Sequence, residues 1–86
     1  MLNANKNLSP MSEVLLVVVK GIVDDPDKVL IKEVQGEQTL VIQITVARTD
    51  VGKVLGKKGV MADSLRTVMR SIAAKHHVRA VLDIES

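Results

Sequence analysis

The residues with chemistry to offer are gathered in Val51-Gly52-Lys53-Val54-Leu55-Gly56-Lys57-Lys58-Gly59, where two lysines stand between two glycines. Glycine tolerates positive φ and has no Cβ, so Gly56 and Gly59 let the main chain turn sharply and come close to a ligand. The segment after Gly59 has helical spacing, and a helix starting there turns its free N–H groups and the positive end of its dipole toward the loop. Lys57 and Lys58 add positive charge at the same point. Phosphate is the ligand that suits all three attractions. A four-residue G-x-x-G pattern alone also describes an ordinary turn, and the flanking residues must decide between the two.

Other chemistry finds little support. A nucleotide P-loop needs G-x-x-x-x-G-K followed by Ser or Thr, whereas Gly52 and Gly56 enclose only three residues and Lys58 follows Lys57. His76 and His77 are adjacent, so on a helix they point in different directions and make a poor chelating pair. Their cationic character suits a helix C-terminus instead. Ser64 and Ser71 have no evident general base, and Asp24, Asp25 and Asp27 read as a turn and helix stop. The expectation is a protein without catalytic activity, metal or cofactor.

Composition sets the frame for the loop. Eighty-six residues suit one small domain with a modest core. Hydrophobic residues are 47% of the chain and charged ones 26%, a globular balance, yet Phe, Tyr and Trp are absent and the core must be aliphatic. The lack of cysteine excludes disulfides, thiolate nucleophiles and zinc-thiolate sites, and fits the reducing cytoplasm. The apolar run Val14 to Val23 contains Lys20 and is far shorter than the ~20 residues of a membrane helix, so no membrane span is expected. Nor do the first residues have the pattern of a signal peptide. Residues 1–8 read as a flexible tail and residues 9–86 as the single domain.

Charge is uneven along the chain. Between Arg48 and Arg79 eight basic residues face only Asp50 and Asp63, a net +6, while residues 1–47 carry four lysines and six acids, a net −2. A basic half around a glycine loop points to a polyanionic partner. A solvated charged surface is the plainer alternative.

The elements that must position the loop follow from periodicity. Ser9-Pro10 is a helix start and Asp24-Asp25-Pro26-Asp27 a stop, but the β-branched residues between them favour a strand, and the sequence leaves that segment evenly balanced. Val29 to Val34 and Thr39 to Ala47 read as a hairpin about Gln35-Gly36-Glu37-Gln38, with Gly36 supplying the turn conformation. In the second strand Leu40, Ile42, Ile44 and Val46 share one face, the period of a half-buried strand. Asp50 is placed to cap a very short helix ending at Leu55. A longer helix follows, with Met61, Leu65, Val68, Met69 and Ile72 as its buried stripe and Asp63, Arg66, Thr67 and Arg70 on or near the other side. Arg66 and Arg70, four apart, share a face that either extends the basic surface from Lys57 or is simply solvent-exposed, with Asp63 placed to neutralise Arg66 in part. A last strand runs from Val78 to Glu85.

At this point Val54-Leu55-Gly56-Lys57-Lys58-Gly59-Val60-Met61-Ala62 resembles the KH-domain signature: an apolar pair, G-x-x-G, then an amphipathic helix. The chain looks most like the small bacterial single-KH proteins of the KhpA family, through Val23-Asp24-Asp25-Pro26-Asp27, Lys32-Glu33-Val34-Gln35-Gly36-Glu37, Gly52-Lys53-Val54-Leu55-Gly56-Lys57 and Leu65-Arg66-Thr67-Val68. The likeness covers nearly all of residues 10–86. It implies an α+β fold, the type II KH domain in the order α-β-β-α-α-β, with a three-stranded sheet packed against three helices. It also makes the ambiguous first segment a helix.

The resemblance further implies binding of single-stranded RNA, with single-stranded DNA open as well. Gly56, Lys57, Lys58 and Gly59 would clamp the backbone of about four nucleotides, Lys53 would stand beside them, Val54, Leu55 and Met61 would either line an aliphatic groove or simply belong to the core, and Arg66 and Arg70 would extend the basic surface. Without aromatic platforms, binding is expected to be weak, salt-sensitive and sequence-tolerant. Val60 departs from the family, which usually has a basic residue there. An RNA-chaperone or post-transcriptional regulatory role is implied, as is assembly into a homodimer or with a larger KH-containing Jag-type protein. A protein-interaction module, with RNA contact secondary, is the alternative.

Overall fold

The computed structural model describes residues 8–86. The tail expected over residues 1–8 lies outside the described residues except for Leu8, which packs against the core. Pro10–Ile22 forms helix α1, with Ser9 as its N-cap. The Ser9 hydroxyl accepts the Ser12 N–H at 3.3 Å, and the Ser9 N–H donates to the Glu33 carboxylate at 2.7 Å, tying the helix start to the sheet. Met11, Leu15 and Val19 fall four residues apart and are buried. That single apolar face, docked on the rest of the chain, outweighs the strand preference of the intervening valines.

After the turn Pro26–Lys28, strands β1 (Leu30–Gln35) and β2 (Thr39–Thr45) pair antiparallel from Leu30 opposite Thr45 to Gln35 opposite Leu40. The hairpin is present, but Gly36 does not supply a glycine-only turn. Its φ is not positive, and its N–H simply donates to the Thr39 carbonyl at 2.7 Å. Leu40, Ile42 and Ile44 are buried and alternate with half-buried Val41, Gln43 and Thr45, as period two requires.

Strand β3 (Arg79–Glu85) lies parallel to β2, giving the order β1-β2-β3. A parallel neighbour demands a crossover, and helices α2 (Val51–Leu55) and α3 (Val60–Lys75) fill it. Buried side chains from the helices meet Ile31, Leu40, Ile42, Ile44 and Leu82 on one face of the sheet in a wholly aliphatic core. The architecture is thus α+β, in the order α-β-β-α-α-β expected of the chain.

Two details differ from the periodicity reading. The buried stripe of α3 is Ala62, Leu65, Met69 and Ala73, whereas Met61 and Val68 are exposed and Ile72 is half-buried. The helix is rotated so that two alanines, which hydropathy alone underrates, are buried beside Leu65 and Met69. At its C-terminus, the Val78 N–H donates to Ala73 and the His77 N–H to Ala74, at 3.0 and 3.2 Å. This is a Schellman closure with His77 at φ 57°, a position glycine usually holds.

Candidate nucleic-acid interface

Helix α2 is five residues long and stops at Gly56, whose φ of 77° and ψ of 173° lie outside the range of ordinary L-residues. A Cβ at Gly56 would stand 2.6 Å from the Met61 Cβ and 2.7 Å from the Met61 nitrogen. Only glycine therefore lets the end of α2 fold directly against the start of α3. Lys57–Gly59 makes one 3-10 turn, with Lys58 left-handed at φ 56° and Gly59 at φ 76° as the N-cap of α3. Space beside Gly59 is open, so there glycine answers to backbone conformation alone.

Within this turn the Gly59 N–H donates to the Gly56 carbonyl at 3.1 Å, and the Val60 N–H to that of Lys57. The N–H groups of Lys57 and Lys58 make no hydrogen bond among the described residues. Their side chains are exposed and form no salt bridge there either. Two unclaimed amides, two ammonium groups and a helix N-terminus are thus presented on one short turn, the arrangement that attracts an anion.

The other expected site residues divide. Leu55 and Met61, 37% and 36% exposed, flank the loop, and Val60 beside them is 62% exposed. Val54, expected to line the groove, is fully buried in the core, so its contribution is to hold α2 in place. The Arg66 guanidinium donates to Asp63 at 3.3 Å, one helical turn back, while Arg70 is exposed with no salt bridge among the described residues.

Lys53 is engaged with the Asp24 carboxylate. That hydrogen bond, together with the negative charge of Asp24 and Asp50, holds the Lys53 ammonium above the usual lysine value. Asp50 itself departs from its expected role. Its side chain makes no cap to α2; it is 1% exposed and accepts the Asp24 and Asp25 N–H groups, each at 3.1 Å. Capping would require the carboxylate to turn back onto its own helix, and the α1–β1 loop offers it two convergent donors instead. Sequence reading missed this pairing because Asp24-Asp25 looks like a solvated turn and nothing local links it to Asp50.

Among the described residues no three His, Cys, Asp or Glu side chains gather to hold a metal ion. No helix there is long and apolar enough to cross a membrane.

Comparison with known proteins agrees with the geometry. The family model of the KhpA/KhpB KH domain matches residues 12–84. The chain is 42% identical over 74 residues to the RNA-binding protein KhpA of Chlamydia pneumoniae, covering 86% of this chain and 95% of that one. It is equally similar to the RNA-binding protein KhpA of Clostridium acetobutylicum, 42% identical over 86% of this chain and 99% of that one. Against the RNA-binding protein KhpA of Aquifex aeolicus it is 39% identical over 77 residues, 90% of this chain and 98% of that one. No solved structure gives a significant match.

Proposed function

The chain belongs to the KhpA/KhpB KH-domain family, and from that premise we propose that it is a non-catalytic binder of single-stranded RNA whose Gly56-Lys57-Lys58-Gly59 turn clamps the nucleic-acid backbone. The observation that carries this reading is the turn itself, where two positive-φ glycines bracket two exposed lysines with unclaimed N–H groups. Phosphates sit on the amides and ammonium groups, and bases lie against Leu55, Val60 and Met61. RNA-binding relatives of nearly equal length support the choice of ligand. A cytoplasmic RNA chaperone or post-transcriptional regulator is the corresponding cellular role.

The test is binding of a fluorescently labelled single-stranded RNA across a salt series. If the loop neutralises about four phosphates, log K against log salt has a slope of roughly −3, and Lys57→Asp with Lys58→Asp removes binding while leaving the fold intact. A slope near zero, or equal binding by the variant, rejects the clamp.

A second reading makes assembly the main task, with a second copy or a larger KH-containing Jag-type protein as partner. Val14, Val17 and Val18, exposed along one side of α1, favour it. It gains if the loop variant loses RNA but keeps its partner and its activity in cells.

A further inference from the structure

We propose that Arg70 and Arg79 form a second phosphate site, which takes up the backbone of the same RNA strand beyond the segment held by the glycine loop. The inference rests on the RNA-binding reading above. Between the C-terminal half of α3 and the start of β3 lies an open groove of about 360 Å³. It is lined by the small apolar side chains of Ala73, Ala74, Val78, Ala80 and Val81 together with Arg70 and Arg79.

Neither arginine forms a salt bridge among the described residues, both are exposed, and no acid contributes to the lining. The Schellman closure at His77 turns the chain tightly from α3 into β3, and the Arg79 N–H, bonded to the Gln38 carbonyl at 2.8 Å, pins the start of the strand. That reversal brings residues 70 and 79 to one groove. Guanidinium groups present planar forks that match phosphate oxygens in a bidentate manner, and two of them without salt bridges among the described residues, in a groove otherwise lined by Ala and Val, are suited to a phosphodiester.

The site is distinct from the loop. Val60 and Arg70 are ten residues apart on α3, about 15 Å along the helix axis. A G-x-x-G turn engages about four nucleotides, so a tetranucleotide spends its phosphates there and only a longer strand has any left for the arginines.

The experiment compares four-nucleotide and twelve-nucleotide single-stranded RNA, each with wild type, Arg70→Gln with Arg79→Gln, and Arg70→Lys with Arg79→Lys. The glutamine variant is expected to bind the twelve-mer more weakly, with its salt slope reduced by about 1.4, from two lost phosphate contacts. Tetranucleotide affinity stays at the wild-type value, and the lysine variant recovers most of the slope. An unchanged twelve-mer slope, or equal losses on both probes, overturns the second site while leaving loop binding intact. Failure of wild type to bind either probe overturns the RNA-binding reading and this one with it.

Discussion

The buried Asp50 carboxylate accepts the backbone N–H of Asp24, twenty-six positions away, at 3.1 Å, and Asp24 in turn engages Lys53 on α2. One side chain thereby fastens the α1–β1 loop to the helix that leads into the glycine turn. Since the second carboxylate oxygen takes the Asp25 N–H, the loop is held at two points.

Replacing Asp50 with Ala leaves both donors without their acceptor. An unsatisfied partly buried donor costs about 1–3 kcal/mol, and water reaches some of this loop, so the variant is expected to lose about 2 kcal/mol in urea unfolding. Asp50→Asn keeps one acceptor oxygen and falls between the two. Equal stability of Asp50→Ala and wild type would show that the loop does not depend on this carboxylate.

Lys53 gives a prediction in pH. Its ammonium is raised above the usual lysine value by Asp24, so any stability from the pair is fully present below the unfolded-state value and is lost as pH rises through the folded one. The effect is therefore confined to the alkaline limb. In an NMR titration Lys53 should deprotonate above the usual lysine value, and Asp24→Asn should bring it back toward that value. Both residues are well exposed, and at neutral pH the substitution is expected to change stability little.

The two loop glycines should respond differently to alanine. At Gly59 the space is open and the cost is that of a left-handed residue, about 1 kcal/mol. At Gly56 the new Cβ meets the Met61 backbone as well as a forbidden φ and ψ, so the turn must open or α3 must shift. Gly56→Ala is therefore the more destabilising in thermal unfolding and the more damaging to RNA binding. Equal effects would contradict the close approach of Gly56 to Met61.

Among the described residues, two that are not glycine occupy left-handed conformations, Lys58 and His77. Replacing either with glycine should relieve about 1 kcal/mol of backbone strain, readable as a raised Tm. RNA affinity is expected to fall only for Lys58→Gly, because that substitution also removes a loop charge. Such a result would mean that the strained lysine is retained at the site for binding and not for folding. A stabilised Lys58→Gly with full affinity would argue against it.

What the sequence determined by itself was the set of local decisions. The alternation of Leu40, Ile42 and Ile44 requires a one-sided strand, Ser9-Pro10 starts a helix, and glycines bracketing two lysines make a turn able to hold an anion. Each depends on residues within a few positions of one another, where period, capping and backbone freedom are readable. Tertiary structure decided the rest. The β-branched first segment became a helix because its Met11, Leu15 and Val19 face found a sheet and α3 to cover it. The stripe of α3 turned toward Ala62 and Ala73 because close packing rewards small side chains that hydropathy does not single out. Burial of Val54, the hold of Asp50 on Asp24, and the meeting of Arg70 with Arg79 in one groove all join residues that no local pattern links. Such pairings depend on where folding brings distant segments, and only the packed chain places their donors and charges side by side.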